Sequence, residues 1–369
     1  MLKDQAAAWV GEQSPVQKFR QMRDSGVEEG FLGETWEAMV EMGWTGILVP
    51  EAYGGSDLGY LTFGVVMEQL GRQLTASPLF ASALTGASAV LLGGSDAQKQ
   101  EWLPRIVDGS EIFTLAVDEG PRHAPESVAL AAEKTAAGYR LSGSKTFVVE
   151  GMAATMLLVA ARTAGAPGAA PGITLFAVPA GAAGVSRQRL RTADSRGYAN
   201  VRLDGVELGD DAVLGSVDGG FPLLDAVLDR ARAALGAEML GSAARAFDMT
   251  LEYLQTRKQF GRVIGSFQAL GHRAAELFGR MELARSCAEG ALQAIDAGDD
   301  NVAELCSLSK AKVGDFLHEM SNQLIQIHGG IGMTDEFDAG FYLKRARALE
   351  ALYGNQAFHR DRYARLLGF

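Results

Sequence analysis

Over the first 110 residues, apolar positions recur at three and four spacing. TWEAMVEMGWTGI (35–47) and TFGVVMEQLGRQL (62–74) therefore predict amphipathic helices, with PEAYGGSDLG (50–59) as a loop between them. DAQKQEWLPRIVDGS (96–110) predicts a capped helix that ends near Gly109. The pattern then changes. EIFTLAVDE, YRLSGSKTFVVEG, ATMLLVAAR, GITLFAVP and ANVRLDGVEL are short, rich in β-branched and aromatic residues, and punctuated by glycine, which predicts a β-domain over 111–215. AGAPGAAPG (164–172) reads as a hairpin loop or flexible excursion. After that, Leu224, Leu228, Ala231, Leu235 and Met239 step along one stripe of a long helix. Further helices follow, broken at DAGDDN (296–301) and at the glycines of QIHGGIGMTDEF (326–337). The expected fold is α+β: an N-terminal helical domain over 1–110, a middle β-domain over 111–215 and a C-terminal helical bundle over 216–369.

Composition narrows the partners. With 369 residues and 47% hydrophobic content the chain can bury a large core, and its net charge of −11 argues against nucleic acid as the main partner. The start, MLKDQAAAWVGEQ, has no apolar signal region, and no apolar run is long enough to span a membrane. Cys287 and Cys306 sit in helix-like sequence and imply no disulfide framework, so the expected compartment is the cytoplasm. The five histidines form no HExxH pattern, and no metal site is expected.

The glycines of QIHGG raise the question of a phosphate. Gly329 and Gly330 allow close backbone approach, with amide N–H groups available to an anion. TRKQFG places Arg257 and Phe260 three residues apart, which predicts one helix face. A guanidinium suits a pyrophosphate. The plain alternatives are a helix-end charge, a core aromatic and a helix C-cap turn. His328 is read as packing.

Taken together, PEAYGGSDLG, GSDAQKQEWLPRIVDG, LSGSKTFVVEG, TRKQFGRVIGSFQ and QIHGGIGMTDEF resemble the acyl-CoA dehydrogenase family in order and spacing, over nearly the whole chain. The resemblance implies a C-terminal four-helix bundle, FAD, a tetramer built as a dimer of dimers, and oxidation of an acyl-CoA to its 2-enoyl-CoA. It also implies an electron-transferring flavoprotein as electron acceptor. In the family a carboxylate takes the α-proton while the flavin takes the β-hydride. The resemblance gives Arg257 the FAD pyrophosphate of a neighbouring subunit and Phe260 the adenine end. It sets Gln326, Gly329 and Gly330 along the same neighbouring FAD.

The groups for a subunit's own flavin are mostly replaced. Where the family has Thr-Glu-Pro and then Gly-Ser-Asp, this chain reads DEGPRHAPES (118–127). Glu119 survives, but His123, Ala124 and Pro125 fill the second slot, and proline has no N–H to give. Phe147 keeps an aromatic face, and the family's threonine two residues on is Val149. Of the two family positions for the base, one holds Tyr353 and the other Ala231. Glu238, which interrupts the apolar stripe and is expected to be buried and paired, is the fallback base. Asp229 is read as a solvated charge or as a partner of Arg230 or Arg232. Three readings follow. One is a half-site subunit of an α2β2 heteromer, working with a homologous acyl-CoA dehydrogenase subunit that carries the base, on an acyl-CoA that is bulky and steroid-derived. The second is a self-sufficient homotetramer with a displaced base. The third is a non-redox acyl-CoA-binding or scaffold protein.

Overall fold

The structure is a computed structural model and describes residues 2–369. Among the described residues there are eleven α-helices and an eight-stranded sheet: α1 (Leu2–Gln13), α2 (Val16–Ser25), α3 (Gly33–Glu41), α4 (Gly59–Arg72), α5 (Ala87–Gly93) and α6 (Asp96–Val107) precede it in the chain. The strands are β1 (Phe113–Ala116), β2 (Ala131–Thr135), β3 (Gly138–Val148), β4 (Met156–Arg162), β5 (Ile173–Pro179), β6 (Val185–Arg189), β7 (Ala199–Leu208) and β8 (Val213–Leu214). Then come α7 (Phe221–Thr256), α8 (Gln268–Ala297), α9 (Val302–His328), α10 (Ala339–Ala351) and α11 (Gln356–Leu366). The helical, β, helical order of the fold class is therefore present. No helix among the described residues is long and apolar enough to cross a membrane.

Two compact units share the chain. One comprises Gln21–Gly59 and Ala76–Ala231 and holds the sheet, in the order β6-β7-β3-β2-β4-β5-β8, with β1 parallel to β4. The mostly apolar β4 and β5 pair antiparallel and are almost wholly buried, whereas the edge strand β6, VSRQR, is charged and mostly exposed. The 164–172 segment joins β4 to β5 as the expected hairpin loop. Buried Arg162 fixes it by donating to the carbonyls of Glu126, Val128, Ala169 and Pro171. Helix α6 starts on a Ser95–Gln98 capping box, as its sequence announced.

The other unit comprises Met1–Arg20, Tyr60–Thr75 and Arg232–Phe369. Its centre is α7. The five stripe residues are all buried, yet burial extends right round the helix, from Ala231 to Ala244. This overturns the solvated reading of Asp229, which is only 4% exposed because the helix there has no solvent face. Helices α4 and α7 cross backbone to backbone: a Cβ on Gly71 would lie 2.1 Å from the Glu238 carbonyl oxygen, and one on Gly241 would lie 1.8 Å from that of Glu68.

The turn between α10 and α11 is built from left-handed backbone, Tyr353 at φ 52° and Gly354 at φ 105°. Its carbonyls point inward and are capped by basic groups. Lys310, wholly buried on α9, donates to the carbonyls of Leu349 (2.9 Å), Glu350 (3.3 Å) and Gly354 (3.1 Å). His359 Nε2 donates to the Tyr353 carbonyl at 3.1 Å, and Arg232 Nε reaches the same oxygen at 3.4 Å. Burial brings the Lys310 ammonium down to about 7, opposed by Glu350 and helped by Arg232. Burial first, then Arg232, Lys310 and Arg362, holds the His359 imidazole far below its usual value, so it is neutral.

A lysine whose folded pKa is depressed holds fewer protons folded than unfolded between about 7 and 10.5, so its contribution to stability improves as pH rises through that window. Lys310→Met should lower unfolding free energy by about 1–3 kcal/mol at pH 9, through lost hydrogen bonds to buried carbonyls. The gap from the unsubstituted chain should narrow toward pH 6, by at most about 1.4 kcal/mol per pH unit. Urea denaturation of both chains across this range checks it; a gap independent of pH would contradict the depressed pKa.

Candidate functional site

The C-terminal end of α7 departs from expectation. The helix stops at Thr256, so Arg257 and Phe260 do not share a helix face. Arg257 follows the last turn, its N–H on the Tyr253 carbonyl at 2.9 Å. Beyond it a two-stranded hairpin forms, β9 (Lys258–Gln259) against β10 (Arg262–Val263), with Phe260 and Gly261 at the tip. Both tip residues have positive φ, 52° and 78°, as a two-residue primed turn demands. Glycine adopts this freely, but a phenylalanine there is strained by about 1–2 kcal/mol. The Phe260 ring is nevertheless 90% exposed, edge-on to Phe267, on which Arg262 also stacks at 4.0 Å. Arg257 is exposed as well. The hairpin tip thus presents a strained, solvent-facing aromatic beside the exposed Arg257.

Gln326, Gly329 and Gly330 lie at the carboxyl end of α9, all three exposed. Gly329 has φ 62° and ψ −134°, a conformation closed to other residues, and no atom lies within 4 Å of where a Cβ would sit on either glycine. The backbone is thus open to close approach. The Gly329 amide is not the free anion donor that the sequence suggested. The Gly329 N–H is taken by the Ile325 carbonyl, and a helix carboxyl end presents the negative pole of its dipole. His328 is buried packing, as expected: its ring is stacked between Tyr253 (4.3 Å) and Phe337 (4.7 Å).

In the sheet-bearing unit, the segment after β1 is turned to internal use. The Glu119 carboxylate accepts from the Ala129 and Leu130 amides (2.9 and 3.0 Å) and from Lys145 Nζ (2.6 Å). Lys145 is buried and also donates to the Val117 carbonyl; its burial lowers its pKa, and Glu119 opposes that shift. His123, with only 2% of its side chain exposed, is paired through Nδ1 with Asp118 at 2.9 Å. Pro125 is buried and brings no donor. Val149 is buried; Phe147, at φ 52°, keeps a half-exposed ring. Sequence reading noted which residues stand in these slots but missed that Glu119 is wholly committed to its own loop. The spacing of Glu119 and Lys145 carries no local signal, because strand pairing brings them together.

Neither family position for the base carries an acid. Ala231 and Tyr353 are both buried. The fallback, Glu238, is buried and paired as expected: one carboxylate oxygen accepts from Arg345 Nη2 at 2.7 Å and Nε at 3.0 Å.

Comparison with known proteins places this arrangement. Three family models match in order: "Acyl-CoA dehydrogenase, N-terminal domain" over residues 1–110, the middle domain over 120–207 and the C-terminal domain over 218–368. The mitochondrial isovaleryl-CoA dehydrogenase of Solanum tuberosum is 30% identical over 332 residues, covering 88% of this chain and 80% of that protein. Among solved structures, the ChsE4–ChsE5 complex of Mycobacterium tuberculosis is 27% identical, with a TM-score of 0.88 over 99% of this chain and 96% of that one. The Tcur3481-Tcur3483 steroid ACAD is 28% identical, again with a TM-score of 0.88, over 99% and 96%. On the matched domains and on this identity across most of both sequences, the chain belongs to the acyl-CoA dehydrogenase family.

Proposed function

We propose that this chain is the half-site subunit of a heteromeric, FAD-dependent acyl-CoA dehydrogenase, and that a homologous partner subunit carries the base. The observation that carries the reading is how the groups are sorted. Residues a subunit offers to its neighbour's cofactor, Arg257, Phe260, Gln326, Gly329 and Gly330, are exposed and open. Those it needs for its own are replaced or consumed: Glu119 by its loop, the donor slot by the His123–Asp118 pair and Pro125, the base positions by Ala231 and Tyr353. An enzyme decaying at random would not divide its losses along that line.

The residues present fit the pyrophosphate and adenosine end of an FAD and do not fit its ring end. Arg257 would hold the pyrophosphate, the Phe260 ring would cover the adenine end, and Gly329–Gly330 would let the backbone close on it. When bound, FAD supplies the hydride acceptor for α,β-dehydrogenation of an acyl-CoA. In this reading α2β2 assemblies pass electrons to an electron-transferring flavoprotein in the cytoplasm. A bulky, steroid-derived acyl group is the substrate we favour. Its support is the likeness to a two-chain complex and to a steroid dehydrogenase. The self-sufficient homotetramer needs a base, and its candidate is bound to Arg345.

Two substitutions test the assignment in the assembled complex. Arg257→Ala should weaken FAD retention by about 1.5–3 kcal/mol, roughly 10- to 150-fold in Kd, and leave the circular dichroism of this chain unchanged. Unaltered FAD content would reduce Arg257 to a surface charge. Glu238→Gln should change kcat by less than about tenfold, whereas loss of a general base costs about 100- to 10,000-fold. A fall beyond a hundredfold with flavin retained would put the base in this chain and overturn the half-site reading.

A further inference from the structure

His328 is joined directly to Gly329, and Tyr253 stands one helical turn before Arg257, whose N–H it accepts at 2.9 Å. The two halves of the exposed surface come from helix ends far apart in sequence. What spans them is a stack of three rings: Tyr253 on α7, His328 at the end of α9 and Phe337 beyond the glycine turn. The first two centroids are 4.3 Å apart and 30° from parallel; the second pair are 4.7 Å and 34°. The imidazole cannot swing, because Nδ1 donates to the Leu324 carbonyl at 2.8 Å. That bond fixes the proton on Nδ1. The turn folds onto the same residue: a Cβ on Gly332 would lie 3.1 Å from His328 Cβ.

Two observations mark the ring as more than filler. Nε2, shielded from solvent, finds no hydrogen-bond partner among the described residues, so the stack bears the cost of a buried, unpaired nitrogen. A phenylalanine would fill the same space without that cost. Alongside the stack lies a cavity of about 420 Å³, lined by all three rings together with Arg245, Glu252 and Tyr342. On that side the helix ends meet the cavity, and the ring stack is a direct side-chain contact between them.

We propose that His328 is a positioning residue, whose clamped ring sets the separation between Arg257 and the Gly329–Gly330 turn and so presents them as one cofactor-contact surface. This rests on the half-site reading, in which that surface meets an FAD housed in the partner.

The test measures FAD dissociation from the assembled complex by recovery of flavin fluorescence, for six forms. These are the native complex, His328→Ala, His328→Phe, Arg257→Ala, the Arg257→Ala/His328→Ala double variant, and Leu103→Ala, a core truncation in the other compact unit, which should lower Tm without touching the stack. His328→Ala should weaken FAD retention at least about fivefold, and His328→Phe, which keeps a ring but loses the Nδ1 clamp, should fall between His328→Ala and the native complex. In the Arg257→Ala background the His328→Ala effect should shrink below about twofold, because the ring acts through the arginine. General destabilisation predicts the reverse: additive losses, and the same weakening from Leu103→Ala at matched Tm. That result, or full retention in His328→Ala while Arg257→Ala weakens binding, overturns the positioning role and leaves the half-site reading standing. If Arg257→Ala itself changes nothing, Arg257 is only a surface charge and the proposal fails with it, while the half-site reading is judged by Glu238→Gln.

Discussion

A buried cation must find oxygen, and in this chain the turn between α10 and α11 supplies it from the backbone. Lys310 Nζ donates to three backbone carbonyls, the Glu350 carboxylate acts on it only through its charge, and the left-handed Tyr353–Gly354 turn aims the carbonyls inward. Arg232, from the centre of α7, and His359, from α11, close on the same turn. These contacts tie α7, α9, α10 and α11 together. The turn is a structural clamp, and it keeps a residue as large as Tyr353 buried.

The same economy governs the loop after β1. Glu119, Lys145, Asp118 and His123 satisfy one another and the local amides, which gives a well-bonded segment with few groups left to a ligand. The exposed end of the helical unit is built the opposite way. Phe260 is held in a strained turn in water, and the glycine turn leaves its surroundings empty. Strain at Phe260 is held by the hairpin of β9 and β10. One unit is closed around its own polar groups, and the other carries an open surface.

Most of the architecture was legible because its signals are local. The capping box at Ser95, the apolar strands β4 and β5, the hairpin loop at 164–172 and the α7 stripe each depend on neighbours a few residues away. So was the pairing of Glu238, since a lone acid inside an apolar stripe must find a cation. The errors fell where local rules were overridden. Spacing put Arg257 and Phe260 on one helix, but the Phe260–Gly261 turn ends helix geometry and reverses the chain. Asp229 looked solvated because a helix usually keeps one wet face, and α7 keeps none there. The amide reading of the glycines ignored the direction of α9, whose carboxyl end they terminate. The Lys145–Glu119 and Lys310–Gly354 contacts join residues too distant in sequence for any pattern to register.

The measurement that bears most directly on the account is flavin stoichiometry. The chain is purified alone, and again after co-expression with its candidate partner subunit, and FAD is quantified by visible absorbance against total protein. The half-site reading predicts a colourless chain by itself and a yellow complex with one FAD for every two polypeptides. A yellow, active preparation of this chain alone, with one FAD per polypeptide, would contradict it.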